Sequence, residues 1–116
     1  MSDSIDRLYD AVLAARAHDP TRSRTAKLFR GGIEKMAKKL GEEAIETGIA
    51  ALKGRKQEVI EESADLLYQL CVLCAQCGIT PDDIRAEMDR REKLYGIAEK
   101  LPKVVSDKAI PIKSVA

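Results

Sequence analysis

Five acidic residues are spaced as the ligands of a metal site would be. Glu42, Glu43 and Glu46 cluster within little more than one helical turn, and Glu62 and Asp65 form a second pair three residues apart. At about 100° per residue, the first three share a sector about 100° wide. That sector lies beside an apolar face made of Ile33, Met36, Ala37, Leu40, Ala44 and Ala51. On the second stretch, Val59, Leu66, Leu70, Leu73 and Cys77 form an apolar stripe, with Glu62 at its margin, Asp65 further round and Gln69 continuing the polar line. Carboxylates at a core edge are costly to desolvate unless a cation joins them. Two facing i, i+3 pairs, Glu43 with Glu46 and Glu62 with Asp65, offer four hard oxygen ligands. Such a set suits Mg²⁺ or Mn²⁺ and not zinc, which prefers Cys and His. The competing reading is a solvated charged flank, because Lys39 and Glu43 stand at i, i+4 and such pairs stabilise a helix slightly. Two matched pairs, with one acid set into an apolar stripe, favour the metal.

The elements that would position these acids can be read from breakers and caps. A first helix is expected over about residues 3–17, ended by His18-Asp19-Pro20, since proline disfavours helix in the residue before it. Residues 21–32 read as a connector with room for a turn of helix at 25–30, and Gly31-Gly32 as a breaker. A second helix is expected over about 33–52, closed by Lys53-Gly54-Arg55, and a third over about 56–77, stopped by Gly78. Thr80-Pro81-Asp82-Asp83 opens a fourth helix running to 92–95: an N-cap hydroxyl, proline at the first helical position, acids in the first turn. Residues 1–101 are expected to form one domain and residues 102–116, with Pro102 and Pro111, an extended or disordered tail. The short 53–55 connection predicts that helices two and three run antiparallel, bringing the two acid pairs face to face.

Composition agrees and excludes other functions. At 116 residues, 45% hydrophobic and 3% aromatic with no Trp, the chain fits one helical domain with an aliphatic core. Basic and acidic residues number 20 and 19 and alternate, so the net charge of +1 speaks against nucleic-acid binding. No apolar run reaches membrane-spanning length, no secretory signal follows Met1, and three close cysteines suit a reducing cytoplasm. Cys71, Cys74 and Cys77 form a C-x-x-C-x-x-C run, but on a leucine-bearing helix without a fourth cysteine they read as structural. His18, the one histidine, stands at a helix end where a cation is favourable, so a Ser or Cys nucleophile has no base.

These residues carry a family likeness. Gly41-Glu42-Glu43-Ala44-Ile45-Glu46, then Glu62-Ser63-Ala64-Asp65-Leu66-Leu67-Tyr68, resembles the Glu-Glu-x-x-Glu … Glu-x-x-Asp pattern of the MazG-like all-alpha nucleoside-triphosphate pyrophosphohydrolases. Within that superfamily the phosphoribosyl-ATP pyrophosphohydrolases are the nearest match. Residues 23–29 are similar to their Ser-Tyr-Thr-x-x-Leu segment, residues 38–43 to their Lys-x-Gly-Glu-Glu core, and residues 96–100 to the ending of some members. Arg24 stands where Tyr is common and Gln69 where His is frequent; both departures bear on specificity. The tail from Pro102 runs past the usual end.

The resemblance implies an all-α, four- to five-helix MazG-like bundle, oligomeric, with its active site between two antiparallel helices. It implies hydrolysis of phosphoribosyl-ATP to phosphoribosyl-AMP and pyrophosphate in histidine biosynthesis, with Mg²⁺ (or Mn²⁺) bridging acids and substrate. Glu43, Glu46, Glu62 and Asp65 would be ligands, and Glu42 a ligand or the base that orients a metal-bound water. Lys35, Lys38, Lys39 or Arg30 could neutralise phosphate charge, Lys35 and Lys39 having the better claim because they share the acidic sector. A homodimer or higher oligomer is expected, because Ile45, Ile49, Leu52, Leu67, Cys71 and Cys74 exceed what one bundle buries. Two other functions fit the same residues: a house-cleaning (d)NTP pyrophosphohydrolase with the same metal site, or a non-catalytic helical dimeric binding module. Every acid of the pattern is present, which speaks against the last.

Overall fold

The computed structural model describes residues 3–96 and 98; the segment assigned above to an extended or disordered tail lies outside the described residues. The described chain is four helices in sequence: α1 (Ser4–Ala15), α2 (Arg24–Leu52), α3 (Lys56–Cys77) and α4 (Pro81–Tyr95). Each begins and ends for a local reason. Asp3 caps α1 and Thr80 caps α4, each in a reciprocal capping box with the acid three residues on, Asp6 and Asp83. Gly78, at φ 73°, is the left-handed C-cap of α3.

The long hairpin of α2 on α3 is the body of the fold. Thr25 meets Tyr68 near one end and Glu43 meets Glu62 and Asp65 nearer the turn, so the two helices run antiparallel. The core joins Tyr9 and Val12 of α1, Leu28, Phe29 and Met36 of α2, and Cys71, Val72, Cys74 and Ala75 of α3. Arg16 ties the end of α1 down, donating to the Ala75 carbonyl at 3.0 Å and lying over the Phe29 ring at 4.5 Å. Helix α4 has no buried residue; Arg85 pins it to α1 through Asp6 at 2.7 Å and Asp3 at 2.8 Å.

Two expectations need correction. The connector at 24–31 is itself helical, started by Ser23, whose hydroxyl accepts from the Ala26 amide at 3.1 Å. Gly32 alone leaves the helical region, at φ 83° and ψ 178°, so α2 is two helices joined at a kink. The core face of α3 is also not the stripe expected. Leu70 is 36% exposed, whereas Gln69, Val72 and Gln76 lie buried beneath α2 and α1. Cys71 and Cys74 are buried in the core, as structural cysteines would be, and so do not add to the uncovered apolar flank to which they were also assigned. Periodicity orders residues around a helix but does not say which side its neighbours occupy, and α3 is apolar in more than one direction.

Candidate metal centre

The antiparallel hairpin brings acids from both helices to one point. One carboxylate oxygen each from Glu43, Glu62 and Asp65 lie mutually within 4.8 Å, and all three side chains are half-buried. Glu43 Oε2 and Glu62 Oε2 are buried without a hydrogen-bond partner. Buried carboxylate oxygens need a donor or a cation. Without a cation, a shared proton is what remains. A hydrogen bond shared with Glu43, then burial and the adjacent Glu46, push Glu62 up to about 7. Burial raises Glu43 above the usual carboxylate range, aided by the charges of Glu46 and Asp65 and opposed by its hydrogen bond with Glu62. The donor set fits a hard divalent cation, all oxygen and no nitrogen or sulfur, with two orphaned acceptors for it to satisfy.

The other expected acids are placed differently. Glu46 is exposed, at the rim beside Glu62 and Glu43. Glu42 lies outside the converging trio and pairs with Lys39 at 3.5 Å.

Next to Glu43 opens a recess of about 220 Å³ lined by Arg24, Lys27, Leu28, Lys35, Lys39, Glu43 and Gln69. Lys35 and Lys39 therefore stand beside the acids, while Lys38 and Arg30 are exposed and do not line it. The kink explains the two basic residues that sequence reasoning did not assign to phosphate. Because α2 turns at Gly32, its first segment carries Arg24 and Lys27 onto the same recess as Lys35 and Lys39. That segment is fastened to α3 beside Gln69: Thr25 Oγ1 lies 2.6 Å from the Tyr68 hydroxyl, and the Arg24 guanidinium lies 4.4 Å above the Tyr68 ring. The signal for it in the sequence was the Ser23 cap ahead of Arg24-Thr25-Ala26-Lys27. Four cations beside a carboxylate trio are suited by their charges to a polyanion and a divalent cation side by side.

Comparison with known proteins places the chain in a family. Residues 5–92 match the family described as phosphoribosyl-ATP pyrophosphohydrolase. The chain is 65% identical, over 103 residues, to a protein of Rhodopseudomonas palustris named phosphoribosyl-ATP pyrophosphatase 2, covering 89% of this chain and 79% of that one. It is 62% identical to the Bradyrhizobium diazoefficiens protein of the same name, over 89% of this chain and 77% of that one. It is 49% identical to the phosphoribosyl-ATP pyrophosphatase of Rhizorhabdus wittichii, over 86% of this chain and 94% of that one. A family match over most of the chain and close identity over 77% to 94% of the length of such relatives lead to one conclusion: the chain belongs to the phosphoribosyl-ATP pyrophosphohydrolase family.

Proposed function

We propose that the chain hydrolyses phosphoribosyl-ATP to phosphoribosyl-AMP and pyrophosphate in histidine biosynthesis, in the cytoplasm, using Mg²⁺, with Mn²⁺ able to replace it. The observation that carries this is the Glu43–Glu62–Asp65 trio opening onto a recess with four cations. Glu43, Glu62 and Asp65 would hold the ion, which when bound supplies Lewis-acid polarisation of the phosphoryl oxygens and a water of lowered pKa. Lys35, Lys39, Arg24 and Lys27 neutralise and orient the polyphosphate, and Glu46 at the rim takes the proton of the attacking water. Pyrophosphate release is measured with phosphoribosyl-ATP, dUTP, dCTP and ATP, with and without Mg²⁺. Turnover that favours phosphoribosyl-ATP and vanishes with chelator supports the reading. A preference for dUTP or dCTP would make it a house-cleaning enzyme, and no release from any substrate would make it a binding module.

The shared proton has a consequence for stability. The folded chain holds the Glu62 proton more tightly than the unfolded one, so its stabilising contribution is fully present below about 4.5 and is lost as pH rises through about 7. A cation takes over the proton's place. Added Mg²⁺ therefore raises the melting temperature strongly at pH 8 and little at pH 5.5, by linkage of binding to folding. Thermal melts with Mg²⁺ or EDTA read this directly, and equal shifts at the two pH values contradict it. Glu87, held near 2 by Arg90 and Arg91, titrates well below that range and does not interfere.

The chain acts as a homodimer or higher oligomer in this reading. Ile45 is 65% exposed, Leu52 89%, and Ile49, Ile60 and Leu67 add to the same helical pair. Uncovered aliphatic surface of this extent on α2 and α3 marks an interface. Light scattering at micromolar concentration checks it, and a monomer there rules it out. Among the described residues no helix is long and apolar enough to cross a membrane.

A further inference from the structure

Leu28 belongs to the core, which leaves Gln69 as the one polar side chain of the recess that the polyphosphate reading does not use. It is 1% exposed, and its Oε1 has no hydrogen-bond partner. It stands one turn beyond Asp65 and two beyond Glu62 on α3, and lines the recess together with Arg24, Lys27, Lys35 and Lys39. A buried amide acceptor without a donor is unusual enough to need a function or a ligand. Phosphate alone cannot complete this site. It brings acceptors for the four cations and, fully ionised, no donor for Oε1. A ligand that satisfies both needs an anionic end and, close to it, an O–H or N–H group. A nucleotide has both.

We propose that Gln69 is a specificity-determining residue: its Oε1 accepts a hydrogen bond from a hydroxyl or amino group of the sugar–base portion of a nucleotide whose phosphates lie among Arg24, Lys27, Lys35 and Lys39. This rests on the nucleotide-hydrolase reading above and adds what the site recognises besides phosphate. A site that hydrogen-bonds a donor rejects analogues lacking it, because its own acceptor is then left buried and unpaired. The residue in question is an amide, uncharged at every working pH, so this recognition is independent of pH in itself.

The test compares the wild type with Gln69→Leu, a substitution of similar size that removes the acceptor. Binding of α,β-methylene-ATP in the presence of Mg²⁺ is measured by calorimetry, together with its 2′-deoxy form and its deaminated purine form. Inorganic tripolyphosphate is the probe for the cations and the metal alone. The expected result is that Gln69→Leu weakens the nucleotide about tenfold, the order of one neutral hydrogen bond to a buried acceptor, and leaves tripolyphosphate unchanged. The wild type loses the same factor on one of the two altered nucleotides, and the variant does not distinguish that pair. The nucleotide that shows this identifies the donor as ribose hydroxyl or base amino group. The melting temperature of the variant is equal to or above that of the wild type, because an unpaired buried polar atom has been removed. Equal nucleotide affinity in the two proteins, no nucleotide binding by either, or parallel weakening of tripolyphosphate overturns the proposal. Because these readouts are binding, they stand apart from hydrolysis: a wild type that binds as expected but releases no pyrophosphate overturns the hydrolase reading and not the role of Gln69.

Discussion

Replacing Glu62 with Gln or Asp65 with Asn is expected to lower Mg²⁺-dependent pyrophosphate release about a thousandfold or more, while circular dichroism stays fully helical. The trio of Glu43, Glu62 and Asp65 converges within 4.8 Å, so removing one carboxylate removes one of the three converging ligands. Lewis-acid stabilisation of a phosphoryl transition state is worth several kcal/mol, and each 1.4 kcal/mol is about a factor of ten in rate. The fold does not depend on the same interaction. Without a cation Glu62 holds its proton up to about 7, through a hydrogen bond with Glu43, then burial, then Glu46, with repulsion between the acids adding to these. Neutralising Glu62 removes that repulsion, so the metal-free variant melts no lower than the metal-free wild type at pH 8. The variant also loses the rise that Mg²⁺ gives the wild type. Lys53, the exposed C-cap of α2 at the turn, is the control whose substitution leaves all these readouts unmoved. If the Glu62 and Asp65 variants keep wild-type turnover and the same Mg²⁺-induced rise, the acids are a solvated flank and the metal reading fails.

The second large effect belongs to Gly32. At φ 83° and ψ 178° it occupies a region that is essentially closed to residues with a Cβ. Nothing lies within 4 Å of where a Cβ would stand, so the obstacle is the backbone and not crowding. Gly32→Ala has two courses. It can keep the kink, at a strain of about 1–3 kcal/mol, or straighten α2. Straightening swings the first segment off α3, breaking the Thr25–Tyr68 hydrogen bond and withdrawing Leu28 and Phe29 from the core. Either course lowers the melting temperature, by roughly 5–20 °C for a domain of this size. Movement of the segment also carries Arg24 and Lys27 away from the recess, so KM for the nucleotide rises. Gly48→Ala is the control. That position is exposed, helical and clear of neighbours, so alanine there raises stability by up to about 1 kcal/mol. A Gly32→Ala protein that melts and binds like the wild type contradicts the role given to the kink.

The legible part of this protein was local. The end of α2, the end of α3 and the start of α4 followed from Gly54, Gly78 and Thr80-Pro81, because caps and left-handed glycines act within a few residues of the break they make. The acid spacing was legible for the same reason: an i, i+3 pair faces one way on any helix, and a three-residue connection leaves two helices little choice but to run antiparallel. What lay beyond reach was every relation between faces. Leu66, Leu70 and Leu73 look like the centre of the core stripe, but Leu70 is exposed and Leu73 only flanks the core, since Gln69, Val72 and Gln76 take the inward position. Gly31-Gly32 reads as a break, but the direction of the turn, and with it the arrival of Arg24 and Lys27 opposite Lys35 and Lys39, follows from packing of Leu28 and Phe29 into a core assembled by three helices. Glu42, Lys38 and Arg30 show the same division, having suitable chemistry at suitable intervals while the packed structure directs them outside the trio and the recess. The sequence by itself determined where α1, α3 and α4 lie, where α2 ends, and the two acid pairs, because those rest on contacts between near neighbours in the chain. The tertiary structure decided which acids converge, which cations face them, and that Gln69 is buried among them, because those depend on how three helices share one core.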